Sequence, residues 1–247
     1  MDYFRNIVVV AALAGALAGL GMTVAQYFVT VPLILKAETF EGQGATQATD
    51  ASEATEATAA AHEHHAHEEN AAAHDHGEGW APEDGFERTF FNFLANLITG
   101  VGFALLLVAA SELFGGLHGW RQGVFWGLAG FTIFTLAPGL GLPPELPAMP
   151  AAELGARQAW WAGTVVSAAI ALGLLFYSRS LIATIAAIAL LVLPHAIGAP
   201  QPISHDSPVP AGLHHSFVVA VAMTTLVFWA LLGGLAGYFR ERFIRAA

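Results

Sequence analysis

IVVVAALAGALAGLGMTVAQYFVTVPLIL, residues Ile7–Leu35, contains no charged side chain. A helix needs roughly 20 apolar residues to cross the hydrocarbon core of a bilayer. A secretory signal has an apolar core of only about 7–15 residues, then a small-residue cleavage site. This run is longer, continues through VPLIL and carries no convincing cleavage site. It reads as a retained membrane span over roughly residues 7–30. Gly15 and Gly19 within it form a GxxxG pair, the pattern that lets two helix backbones approach closely.

Five more apolar runs follow: Phe90–Phe114, Val124–Leu142, Ala159–Tyr177, Leu181–Gly198 and Ser216–Phe239. Leu181–Gly198 is the weakest, because Pro194 interrupts it. The chain as a whole is 55% hydrophobic and 11% charged, against roughly 25% charged in soluble domains. The expected fold is therefore an all-α integral membrane protein: one domain, residues 1–247, built as a bundle of about six transmembrane helices. The GxxxG pairs Gly123/Gly127 and Gly233/Gly237 read as packing sites in that bundle.

With six spans, Arg5, Arg121, Arg179, Arg240, Arg242 and Arg245 fall on one side, and Lys36, Arg88 and Arg157 on the other. The positive-inside rule then puts both termini in the cytoplasm and the segment between the first two spans outside. That segment, residues 36–88, is the chemical anomaly of the chain. The net charge is −10, and thirteen of the nineteen acids lie between Glu38 and Glu87. Such a segment attracts cations and repels nucleic acid. Residues 42–79 are an Ala/Thr/Glu/His mixture without periodicity and are expected to be disordered without metal.

Within it, His62, His64, His65, His67, His74 and His76 fall inside fifteen residues, interleaved with carboxylates such as Glu63 and Asp75. Neutral imidazole and carboxylate are ligands for borderline divalent transition metals. The pattern names no single metal: copper(II), nickel, cobalt and zinc all fit these donors. The spacing suits several interchangeable weak sites. No cofactor is otherwise implied, and the absence of cysteine removes thiolate sites and disulfides.

Polar residues inside the spans are the second signal. Arg88, Asn92 and Asn96 recur every four residues at the start of the second span, with Thr99 three further on. They share one helical face. Polar groups are costly in lipid, so that face should look into the bundle or a wet cavity, either as interhelical packing or as the wall of a solute path. Gln26 of the first span could join it. His195, beside Pro194, is a candidate ligand near the outer end of the fifth span, where a disturbed turn would expose carbonyls. No GxxxxGK[ST], HExxH, GxSxG or CxxC motif is present, so neither ATP hydrolysis nor another enzymatic activity is expected of this chain.

In VPLILKAETFE, the His-rich acidic segment, WAPEDGFERTFF, WGLAGFTIFTLAPGLGLPPELPAMPAAELGARQAWW, LPHAIGAP and FWALLGGLAGYF, the chain resembles the CbtA family of predicted cobalt transporter subunits. The resemblance runs through nearly the whole chain. It implies a multi-pass inner-membrane protein that takes up cobalt for cobalamin synthesis. It also implies a partner, a small single-span His-containing CbtB-type subunit. It suggests five spans where hydropathy counts six. A homo-oligomer is left open. The competing expectation is a membrane-anchored metal sensor or metallochaperone whose helices only hold the His-rich segment.

Overall fold

Long apolar runs with few breakers become helices, and the computed structural model contains nothing else of regular structure among the residues it describes, which are 2–41, 82–83 and 85–244. All six clustered histidines, Glu63 and Asp75 lie outside the described residues. So do the expectations of a metal-gathering, disordered segment.

Helix α1 spans Asp2–Val29, and a second helix, α2, covers 31–41. Helix α3 is Phe86–Glu112 and α4 is Trp120–Phe131. α4 continues without a break through a π-helical turn, Thr132–Leu136, into a last short α turn, α5, Ala137–Gly139. Helices α6 (Leu154–Tyr177), α7 (Leu181–Ile197) and α8 (Ala211–Ile244) follow. Among the described residues four stretches are long and apolar enough to cross a membrane: Tyr3–Val29, Phe86–Glu112, Leu154–Tyr177 and Ala211–Phe243. Helix α7 is apolar but has 17 residues. The stretch Trp120–Gly139 is about 20 residues of helix divided by the π turn.

Several helices begin earlier than the hydropathy runs. α3 starts at Phe86 rather than Phe90, α6 at Leu154 rather than Ala159, and α8 at Ala211 rather than Ser216. The extra turns are polar or interfacial, and helical hydrogen bonding does not end where the hydrocarbon does. At α6 the start is fixed by Glu153, whose carboxylate accepts from the backbone N–H groups of Gly155 (2.7 Å) and Ala156 (2.6 Å). These bonds favour the ionised form and hold the Glu153 carboxyl below the usual glutamate range. Pro194 does not break α7. The helix passes through it to Ile197, and Gly198 ends it with φ 90°, donating its N–H to Pro194 O at 3.1 Å.

Glycine decides which helices meet. A Cβ on Gly15 would stand 2.5 Å from the Val101 backbone, and one on Gly19 would stand 2.5 Å from Asn96 O. Helices α1 and α3 therefore touch backbone to backbone, antiparallel. Helices α4 and α8 do the same through Gly123 and Gly127 against Gly233 and Gly237, where a Cβ on Gly123 would meet Gly233 O at 2.0 Å. This is the close approach that GxxxG patterns permit. Around these seams Val10, Val108, Leu117, Trp229 and Leu232 form one buried core. Helix α7 lies antiparallel on α6, with Ser167 donating to Leu190 O at 2.6 Å and Trp160 Nε1 to Pro194 O at 3.1 Å.

The two ends of the bundle differ. At one end Tyr3, Glu112 and Arg240 converge, and Asn6 donates to Phe243 O at 3.3 Å. Phe114 stacks on Tyr177 there, with ring centroids 4.1 Å apart. At the other end α2 packs with the 144–149 loop and the start of α8, through Ala37, Leu146, Val209 and Leu213. The start of α1 and the end of α8 thus share one end, with Arg5, Arg121 and Arg242 close to it in the chain.

Candidate functional site

In an apolar bundle the place to look is where polar side chains meet inside. Asn92 and Asn96, one turn apart on α3, both face α1. Asn92 donates from Nδ2 to Gln26 Oε1 at 3.1 Å, and Asn96 donates to the same oxygen at 2.6 Å. Asn96 Nδ2 also lies 3.1 Å from Thr23 Oγ1, which itself donates to Gly19 O at 3.0 Å. Of the residues predicted to share a polar face, Asn92 and Asn96 join Gln26 in one hydrogen-bonded cluster, which Thr23 completes, while Arg88 and Thr99 stand outside it. Its members sit directly beside the Gly19–Asn96 contact, so the close backbone approach is what brings short amide side chains within reach.

Thr23, Gln26 and Asn92 line a groove of about 540 Å³ between α1, α2 and α3, which also takes in Thr30 and Arg88. Arg88 closes the groove beside the start of α3 as a fork on Glu38 of α2, with Nη1 to Oε2 at 3.2 Å and Nη2 to Oε1. A planar guanidinium pairs with both carboxylate oxygens in this way. Arg88 is thus bound up in joining α2 to α3. A second ion pair at this end joins Arg157 of α6 to Glu145 at 3.0 Å.

His195 is not part of the cluster. It lies half-buried at the end of α7, edge-on to Trp160 of α6, ring centroids 5.8 Å apart. The neighbouring Pro194 carbonyl is already taken by Trp160 Nε1 and Gly198 N–H. His214 Nε2 lies 3.1 Å from Pro144 O. Among the described residues no three of His, Cys, Asp and Glu come together as a metal site.

Two features escape a reading of the sequence. One is the anchor at the opposite end. Arg240 donates to both oxygens of Glu112, with Nη2 to Oε2 at 2.9 Å, and from Nη1 to Leu117 O at 2.7 Å, while the Tyr3 hydroxyl donates to Glu112 Oε2 at 2.5 Å. An isolated glutamate at the end of an apolar run was the available signal. The other is α2, hidden by the charged composition of KAETFE.

The family described as "Probable cobalt transporter subunit (CbtA)" matches residues 4–241, nearly the whole chain. No curated protein and no solved structure matches it.

Proposed function

The chain belongs to the CbtA family of cobalt transporter subunits, and from that membership we propose that it is the membrane-conducting subunit of a divalent transition-metal uptake system, with cobalt as cargo. Membership in a family of transporter subunits carries the need for partner subunits with it. The partner proposed is the small single-span His-containing CbtB-type protein.

The proposed arrangement has six crossings. The four long apolar helices are joined by the Trp120–Gly139 stretch and by α7. Three things support it: helices that alternate in direction, α1 and α8 meeting at one end, and basic residues gathered near that end. By the positive-inside rule that end is cytoplasmic in the inner membrane. The 36–88 segment is then external. There His62, His64, His65, His67, His74 and His76, with Glu63 and Asp75, collect the ion. Nickel and zinc would compete for the same donors. His195, at the outer end of α7, is a candidate ligand close to entry.

The observation that carries conduction, rather than mere anchoring, is the Thr23–Gln26–Asn92–Asn96 cluster opening on the outer groove. An anchor needs no polar residues at membrane depth, and four of them have a cost in lipid. The test is accumulation of radiolabelled cobalt by cells that lack the gene and are complemented with the full chain. Accumulation above that of uncomplemented cells is expected. Equal accumulation, with the chain present in the membrane, would return the protein to the class of anchored metal sensors or metallochaperones.

A further inference from the structure

Beneath the cluster lies a separate cavity. It has a volume of about 190 Å³ and sits between α1, α3, α8 and the π turn, with Asn96, Thr99, Thr135, Thr225 and Met22 in its lining. Asn96 bonds to Thr23 and Gln26 of the outer groove, so the amide cluster is the partition between groove and chamber. Thr99 and Thr225 fall about halfway along α3 and α8, which places the chamber at mid-bundle depth. On the inner side the helices close through fully buried Val10, Val108 and Leu117, and then through the Glu112–Arg240 anchor.

Two hydroxyls of this wall are unspent. Exposed Thr99 and half-buried Thr135 make no side-chain hydrogen bond among the described residues, whereas Thr225 of the same wall donates to Val221 O, and Thr132 of the π turn donates to Leu128 O at 2.9 Å. The main chain is short as well. Ala137 N–H reaches back to Thr132 O, the five-residue step of a π turn. Pro138 then brings no N–H, so the carbonyls of Ile133 and Phe134 share at least one missing main-chain donor. The proline ring would collide with the Phe134 carbonyl in a regular helix, which accounts for the widened turn. Irregular backbone at membrane depth is tolerated where it lines a wet cavity. A volume of 190 Å³ holds roughly six waters at about 30 Å³ each.

Resting on the transport reading, we propose that this chamber is a transit site for a hydrated divalent cation, whose water shell donates to the hydroxyl, amide and carbonyl oxygens of Thr135, Thr99, Asn96 and the π turn. Among the described residues no carboxylate lines it. Neutral oxygens hold an ion weakly, and conduction requires a site that lets its ion leave. The stacked rings of Phe134 and Trp229, centroids 5.6 Å apart, complete its wall.

The test uses cells lacking the gene, complemented with the full chain, and reads radiolabelled Co²⁺ uptake per unit of chain in the membrane. Thr135→Val keeps the shape and removes the oxygen. It should lower maximal uptake on the order of tenfold, the effect of one lost polar contact of about 1.4 kcal/mol. Pro138→Ala, which restores the missing N–H, should lower it too. Thr135→Ser, which keeps the hydroxyl, should rescue uptake. If Thr135→Val fails to reach the membrane, Thr99→Val at its more exposed position carries the same expectation. Normal uptake by the Val variants at wild-type levels, or equal loss in Thr135→Val and Thr135→Ser, overturns the chamber and leaves the transport reading standing. Absence of uptake by the wild-type chain overturns that reading instead.

Discussion

Gln26 is the acceptor on which both α3 asparagines converge, at 3.1 and 2.6 Å. One amide oxygen has two lone pairs, so the two donors saturate it. Gln26→Leu leaves Asn92 without its acceptor and Asn96 with only Thr23. Interhelical hydrogen bonds within membranes average about 0.6 and reach about 1.7 kcal/mol, so the variant should lose about 1 kcal/mol in unfolding measured in mixed micelles. Cobalt uptake per folded molecule should fall as well. A stability loss with uptake per folded molecule unchanged would reduce the cluster to packing. Much of this site could be read beforehand, because four-residue spacing puts Asn92 and Asn96 on one helical face whatever the tertiary fold. The partner Gln26 could be named only as the polar residue at similar depth on another span. The Glu112–Arg240 pair could not be named, since its members are 128 residues apart and meet only once α1, α3 and α8 have assembled. Thr135 was invisible for a different reason: its interest comes from a cavity, and a cavity is a property of what fails to pack.

Two glycines of the same composition have opposite roles in the helix seams. Gly123 of α4 stands where a Cβ would meet the Gly233 carbonyl oxygen at 2.0 Å, while Gly173 of α6 has open space around it. Gly123→Ala must push α4 and α8 apart and should cost about 1–3 kcal/mol, the usual range for overpacking. Gly173→Ala should be neutral or gain up to about 1 kcal/mol, because alanine is the better helix former. Thermal unfolding of the two variants in one detergent, followed by tryptophan fluorescence, compares them directly. Equal stability would show that the α4–α8 seam is not held by close backbone contact. The GxxxG spacing announced these seams but not their pairing; that α1 meets α3, and α4 meets α8, is decided by which surfaces come together. Helix identity was legible from hydropathy, and helix ends were not. The first turns of α3, α6 and α8 are built of residues such as Glu87 and Arg88, or Arg157 and Gln158, that hydropathy assigns to loops. The π turn was equally hidden, since Pro138 close to the end of an apolar run reads as a stop, not as a widened turn inside it.

A molecule with its two termini at one end, and alternating helices between them, should keep the C-terminal tail on the cytoplasmic side. Alkaline phosphatase, active only outside, should therefore be inactive when fused after residue 247, and high activity there would invert the topology. If capture and passage belong to different parts of the chain, as proposed, they should separate on titration. On the proposed reading the histidines between His62 and His76 only raise the ion concentration before entry, and the bundle carries the ion across. Deleting residues 62–76 should lower cobalt uptake most when external cobalt is scarce, with partial recovery when it is abundant. Acidifying the medium toward pH 5 should imitate the deletion in the wild-type chain, because protons displace metal from imidazoles with pKa values near 6.5, and should add little in the deleted one. Asn96→Leu should lower uptake at every cobalt concentration, since a missing group on the route cannot be replaced by mass action. His195→Ala discriminates between the two parts: loss confined to scarce cobalt assigns it to capture, and loss throughout assigns it to passage. Membrane levels measured alongside keep folding defects apart from transport defects. If the deletion abolishes uptake at all concentrations while Asn96→Leu and His195→Ala are silent, the ion's route lies in the His-rich segment and its partners, and the bundle described here only holds that segment in place.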